Sequence, residues 1–408
     1  MADRTDNPNL PQWGVAQTAG GSEGLSPRCD WSTLEGDGRL PQSDQSSGFG
    51  VDFRTDLQLF ADNGVRSLRW TLDWSRLEPS EGRWDPDAVN HVNDVLRAAQ
   101  DVGIAIWAVL HDGPLPGWFA EDQHGFDDDM ALRKTWPRHV DKVADTFGDL
   151  VSAWVPILDP YTRALEGNLT ATRPPNRHDP EKFLETLRSL HLASADAWRL
   201  LRSGEPPVVC CIDTCPVEPA VTSREPDERE VARDRATSVD RYRFGSWMRE
   251  LNDGVVSIPG LAEIELDGMA GGYDIVGFTY RGAQSLYADG SISPYPLDAP
   301  VASDGRSPWT EGLGLTVRRL HEELPNRKFA LLGTGLVTPD EDWRAEVLAG
   351  SIEQLDAASN DGIALSDAFW ESGIDGWTPE CGREVPDGLI EPGRNPRASL
   401  ELIRRRAL

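Results

Sequence analysis

Lysine is nearly missing from this 408-residue chain: it stands only at positions 134, 142, 182 and 328, and arginine carries almost all of the positive charge. With 68 acidic side chains against 40 basic ones the net charge is −28. Nucleic acid and anionic membrane surfaces repel such a protein and are excluded as partners. No run of about 18 apolar residues is present to span a bilayer. The N-terminus, Met1 to Pro8, lacks a basic segment followed by an apolar one, so no secretory signal is readable and the cytoplasm is the expected compartment. Cysteine is scarce: Cys29, Cys210, Cys211, Cys215 and Cys381 are an odd count and do not read as a disulfide framework. The cluster Cys210-Cys211-Ile-Asp-Thr-Cys215 has no second Cys/His pair at metal-ligand spacing, and the run Pro206 to Ile212 has the apolar continuity of a buried parallel strand. These cysteines are expected in the core, and neither a metal nor another cofactor is expected. Short repeats and low-complexity tracts are absent too.

What is there is a regular alternation. Strand-like apolar runs at 12–17, 67–74, 104–111, 153–159, 207–213, 274–280, 328–333 and 363–370 are separated by amphipathic stretches at 52–63, 87–102, 129–147, 180–202, 226–250, 311–324, 340–358 and 396–407. Eight units of each kind predict an α/β fold with one closed (β/α)8 TIM barrel. Residues 11–408 read as a single domain after a disordered N-terminal ten. The segments 34–50 and 283–310 read as long loops able to shape the mouth of a pocket. Nothing in the sequence fixes an oligomeric state.

The run from Asp145 to Pro160, Asp-Thr-Phe-Gly-Asp-Leu-Val-Ser-Ala-Trp-Val-Pro-Ile-Leu-Asp-Pro, carries the most chemistry. A helix end leads into a strand that delivers a carboxylate, and the C-terminal end of a barrel strand is where such folds place catalytic groups. Other markers follow in order: Trp13-Gly14 through Glu23-Gly24, Arg69-Trp70 through Trp74-Ser75-Arg76, His111-Asp112 through Pro116, Val217-Glu218-Pro219, Val276-Gly277-Phe-Thr279-Tyr280 and Phe369-Trp370 with Trp377. This ordered set resembles the family 1 glycoside hydrolases, the β-glucosidases and their relatives, over roughly residues 10 to 405. The resemblance implies a barrel enzyme acting on β-glycosides.

It also exposes departures. The family's acid/base Glu and the Asn before it correspond to Asp159 and Leu158. The Gln that grips the sugar corresponds to Gly21, the Trp after the retained His111 to Asp112, and the acid before the last Trp to Gly376. At the nucleophile's place on strand seven stands Gly333, in Leu331-Leu332-Gly333-Thr334-Gly335, and the next carboxylates, Asp340, Glu341 and Asp342, lie beyond Pro339.

Asp159 is thus the expected general acid, with no covalent nucleophile on strand seven. An inverting reaction tolerates carboxyl groups ~6.5–9.5 Å apart, against ~5–5.5 Å for a retaining one. Glu371 is the preferred second carboxylate, ahead of Asp112 and Asp73, unless it caps a loop or helix. Period-two alternation leaves open whether Trp370 or Glu371 points inward. The resemblance implies that Arg69 and Tyr280, which match residues orienting the family's nucleophile, contact ligand or Asp159; inherited barrel structure is the alternative. His111, Asp112, Trp370 and Trp377 complete the expected substrate-binding set, while Trp70 and Trp118 also fall near strand ends. Most of the 15 tryptophans are expected to pack between sheet and helices. Asn168-Leu-Thr170 matches a glycosylation sequon of little weight without a secretory signal. Three functions stay open: an altered glycosidase on a glycoside or other cyclic small molecule, an enzyme repurposed for elimination, cyclisation or isomerisation, and a ligand-binding protein without turnover.

Overall fold

The computed structural model of the protein describes residues 10–220 and 225–407. The N-terminal segment expected to be disordered lies, apart from Leu10, outside the described residues. Eight strands, β1 (Gln12–Gln17), β2 (Ser67–Thr71), β3 (Ala105–Val109), β4 (Ala153–Val155), β5 (Val209–Thr214), β6 (Ile275–Tyr280), β7 (Phe329–Gly335) and β8 (Leu365–Glu371), form one parallel sheet. Their order is β4-β3-β2-β1-β8-β7-β6-β5. Between the two ends of this order a single bridge pairs Trp154 with Val208, supported by the bond from Trp154 N to the carbonyl of Pro207 at 2.9 Å. The barrel is therefore nearly closed, with its seam between β4 and β5.

Helices α1 (Phe49–Asp62), α2 (Pro86–Asp101), α3 (Trp136–Phe147) and α4 (Pro180–Leu201) cover the first half of the barrel. They are followed by α5, in two pieces (Pro226–Asp240 and Ser246–Asp253), α6 (Thr310–Glu323), α7 (Glu341–Asn360) and α8 (Leu400–Ala407). Aspartates start several of them for a local reason. Asp85 and Asp179 each accept two amide bonds from the first turn, and each is followed by a proline whose fixed φ suits the first helical position. Asp340 caps α7 through Trp343 N.

Strand pleating divides the core into two layers. Ala16, Trp107, Val109, Val155, Val209, Cys211, Leu332 and Phe369 fill the barrel interior. Val15, Leu68, Trp70, Ile106, Trp154, Cys210, Phe278 and Trp370 face the helices. Cys210 and Cys211 are thus buried on opposite faces of β5, and all five cysteines are free. Among the described residues no helix is long and apolar enough to cross a membrane.

Candidate active site

Past the C-terminal ends of the strands opens a cavity of about 1150 Å³. The segment 283–310 does shape its mouth: Gln284–Leu286 and Ile292–Pro294 pair as a hairpin, and Val301 through Ser307 continue the rim. The segment 34–50 contributes instead through Pro41 and Ser46, which hold Trp377 by its ring and backbone N–H groups.

Asp159 follows β4 in a left-handed conformation (φ 50°, ψ 53°), which turns the chain into the helix Pro160–Asn168. Its buried carboxylate accepts bonds from Thr279 Oγ1 (2.5 Å) and Arg281 Nη1 (2.7 Å). Arg281 is the side chain that the sequence reading did not single out. It follows β6 directly, and period-two alternation sends Thr279 and Arg281 inward while Tyr280 points out. The Tyr280 hydroxyl accordingly donates to the carbonyl of Trp309 at 2.6 Å and does not line the cavity.

Arg281 reaches further, donating from Nε to Glu371 Oε2 (2.7 Å) and from Nη2 to Glu371 Oε1 (2.9 Å). Arg69, itself 1% exposed, adds a bond to the same Oε1 at 2.6 Å. One guanidinium therefore spans Asp159 and Glu371. This resolves the choice left open on β8: Glu371 turns into the cavity, and Trp370, wholly buried in the outer layer, does not form its wall. Glu371 also fills the room above Gly333, where a Cβ would come within 2.4 Å of Oε1. Gly21 and Gly376 have closed on each other as well, since a Cβ on Gly376 would stand 2.2 Å from the Gly21 carbonyl.

Asp112 lines the cavity, with Thr71 Oγ1 donating to its Oδ2 at 3.2 Å. His111, one residue earlier, faces away and packs against Phe126 at 5.2 Å between ring centres. Asp73 caps the helix Trp74–Leu77 and pairs with Arg76 outside this cavity. Trp70 sits in the outer core, and Trp118 donates to the Glu78 carbonyl, whereas Trp377 does line the cavity, joined by Trp31. The side chain of Asn168 in the sequon is buried and donates to Thr186 Oγ1 at 3.1 Å.

The carboxyl groups are driven apart electrically. Burial alone raises Glu371, but Arg281 and then Arg69 more than reverse this and hold it far below the usual carboxylate range. Asp159 is likewise lowered: Arg281 and then Arg163 outweigh its burial. At Asp112 burial wins over Arg69 and Arg163, and the carboxyl is pushed up to about 6. Asp387, another cavity-lining acid, accepts bonds from Gly376 N and Ser372 Oγ and is pushed by burial to about 7. No feature of the sequence near Asp387 announces this role. Burial, then Arg163, lowers His111 to about 3, so its ring is neutral.

Comparison with known proteins follows the same lines. The description "Glycosyl hydrolase family 1" matches residues 39–295, more than half of the chain. Beta-glucosidase 21 of Oryza sativa subsp. japonica is 28% identical over 152 residues, which cover 36% of this chain but only 29% of that protein. Beta-glucosidase 5 of the same plant is 23% identical over 404 residues, covering 86% of this chain and 78% of that one. The solved beta-glycosidase from Pyrococcus horikoshii superposes with a TM-score of 0.87 at 22% identity, covering 100% of this chain and 95% of its own. With the eight-stranded barrel and a family match over more than half of its length in place, the chain belongs to glycosyl hydrolase family 1.

Proposed function

We propose that this protein takes a glycoside, or another polyhydroxylated cyclic molecule, into the barrel mouth and acts on it without a covalent intermediate on β7. The observation that carries the reading is the split among three carboxyl groups in one cavity, with Asp112 near 6 while Asp159 and Glu371 are held ionised. Acids whose environments push them apart are suited to divided proton duties. Below about pH 6 Asp112 holds a proton to give to the leaving oxygen, ionised Glu371 offers negative charge to the oxocarbenium-like centre, and water adds to that centre as the nucleophile. Asp159, expected from the sequence as the acid, holds no proton in its ion pair and serves under this reading to anchor Arg281. Attack by Glu371 itself is opposed by the three N–H donors on its two oxygens. The same proton donor would also serve an elimination or isomerisation.

Incubation with an activated 2-deoxy-2-fluoro glycoside tests the reading by intact mass. No adduct is expected, and aryl glycoside turnover should fall ~10²–10⁴-fold in Asp112→Asn. A stoichiometric adduct on Glu371 or any other carboxylate sinks it. A second reading, binding without turnover, is favoured by the Arg281 guanidinium standing between the two ionised carboxylates; it predicts saturable binding with no activity in either protein.

A further inference from the structure

Most acids that line the main cavity stand beside an arginine. Asp159 and Glu371 share Arg281, Glu380 accepts from Arg173 at 2.6 Å, and Asp213 lies 3.9 Å from Arg243. Asp387 differs. It comes from the loop after β8, is 4% exposed, lines the cavity, and has no ion-pair partner among the described residues. With no cation to offset its burial, and with Asp375 nearby, its carboxyl is pushed up to about 7. Asp375 shows what an acid with a structural task looks like in the same loop: it lies outside the cavity lining, and Arg397 and Gly388 N both bond to it.

The bonds that Asp387 makes leave it unfilled. Oδ1 accepts from Gly376 N at 3.0 Å and Oδ2 from Ser372 Oγ at 2.8 Å. That is one donor to each oxygen, whereas a carboxylate offers about four lone-pair sites. An amide or a hydroxyl could accept the same bonds without burying an ionisable group. Holding the loop needs an acceptor, not an acid. The two donors also tie this carboxyl to the centre of the site, since Ser372 directly follows Glu371 and Gly376 directly precedes Trp377. Glu371, Ser372, Trp377 and Asp387 all line the cavity, so a ring seated against Glu371 and Trp377 lies along the wall that holds Asp387.

We propose that Asp387 is a specificity-determining residue that accepts a hydrogen bond from one ring hydroxyl of the ligand, so that the protein selects rings bearing a hydroxyl at that position. The inference rests on the reading of the main cavity as the site of a polyhydroxylated ring, and it names the side chain that discriminates among such rings. Donation by a hydroxyl favours the ionised carboxylate. A ligand lacking that hydroxyl leaves a buried acceptor short of a bond, which is a stronger ground for rejection than a change of fit against an apolar wall.

Calorimetric titration with methyl β-hexopyranosides, and with the monodeoxy analogues of whichever binds tightest, gives the test. In the wild type one analogue should bind ~10–10²-fold more weakly than its parent, the range for a hydrogen bond to a charged group. Asp387→Ala removes the acceptor and should shrink that ratio to about twofold. A purely structural Asp387 would instead weaken parent and analogue alike and leave the ratio unchanged. Asp387→Asn keeps the shape and an acceptor for Gly376 N, guards against a failure of the alanine variant to fold, and should lower the ratio by about threefold or more. Thermal unfolding checks that each variant is folded. An unchanged ratio in a folded variant, or no penalised analogue in the wild type, overturns the role of Asp387 and leaves the main reading standing. Failure of the wild type to bind any parent glycoside overturns both.

Discussion

A Cβ on Gly333 would stand 2.4 Å from Glu371 Oε1, so the end of β7 and the end of β8 compete for one space. A carboxylate can enter it from either strand, but not from both. In this chain it comes from β8, and Arg69 and Arg281 hold it there.

Gly333→Ala should therefore push the Glu371 carboxylate off its guanidinium partners and cost about 1–3 kcal/mol, the usual range for overpacking a filled site. In a Glu371→Gly background the same substitution should cost much less. Urea unfolding of the four proteins gives the coupling directly; equal costs in both backgrounds would show that the two positions do not share space.

Removal of the cation is a harsher change. Arg281→Leu leaves buried Asp159 and half-buried Glu371 with one partner fewer, and loss of one member of a buried ion pair costs about 3–5 kcal/mol. The sign with pH follows from the lowered carboxyl groups: their stabilisation is present above the unfolded value near 4 and is lost as pH falls through the lower folded value. The stability gap between wild type and Arg281→Leu should thus be widest near neutrality and narrow below about pH 4. A gap that is constant from pH 7 to 3 would contradict the ion-pair account.

Asp112 behaves oppositely. Its folded value, about 6, lies above the unfolded one, so its contribution is full below about pH 4 and is lost as pH rises through 6. Wild type should lose stability relative to Asp112→Asn across that window in thermal melts. If turnover is found, kcat/KM should fall above about pH 6, and a profile still rising there would assign the proton elsewhere.

The eight strands and eight main helices were legible because buried parallel strands and amphipathic helices leave strong, well-spaced patterns. Which of two neighbours faces inward was not legible at every strand end. At three ends the residue facing the cavity is the neighbour of the one that drew attention as an aromatic or imidazole: Glu371 beside Trp370, Arg281 beside Tyr280, Asp112 beside His111. A shift of one residue exchanges the two faces of a strand. Counting along the chain cannot settle it here, since the pairing of β7 with both neighbours shifts register near Leu331. The bonds from Arg281 reach Glu371 and Asp159, 90 and 122 positions away, and leave no local signature.

That exchange of faces is itself testable. Tyr280→Phe should cost about 1 kcal/mol for its lost bond to Trp309 and leave ligand affinity unchanged, because the hydroxyl lies behind the sheet. A tenfold loss of affinity in Tyr280→Phe would place Tyr280 in the site after all.

The seam between β4 and β5 bears on how the site moves. Only the Trp154–Val208 bridge joins these strands, yet Asp159 extends from one side of the seam and touches Cys211 on the other through its backbone N–H at 3.4 Å. The wall carrying Asp159 is thus less fully laddered than β2, and amide protons of β4 should exchange with solvent sooner than those of β2. Slow breathing at this seam would stretch the contact between Asp159 and Arg281, which comes from β6 on the far side of β5. Under such breathing Asp159, not Glu371, is the member of the charge cluster that moves with the seam.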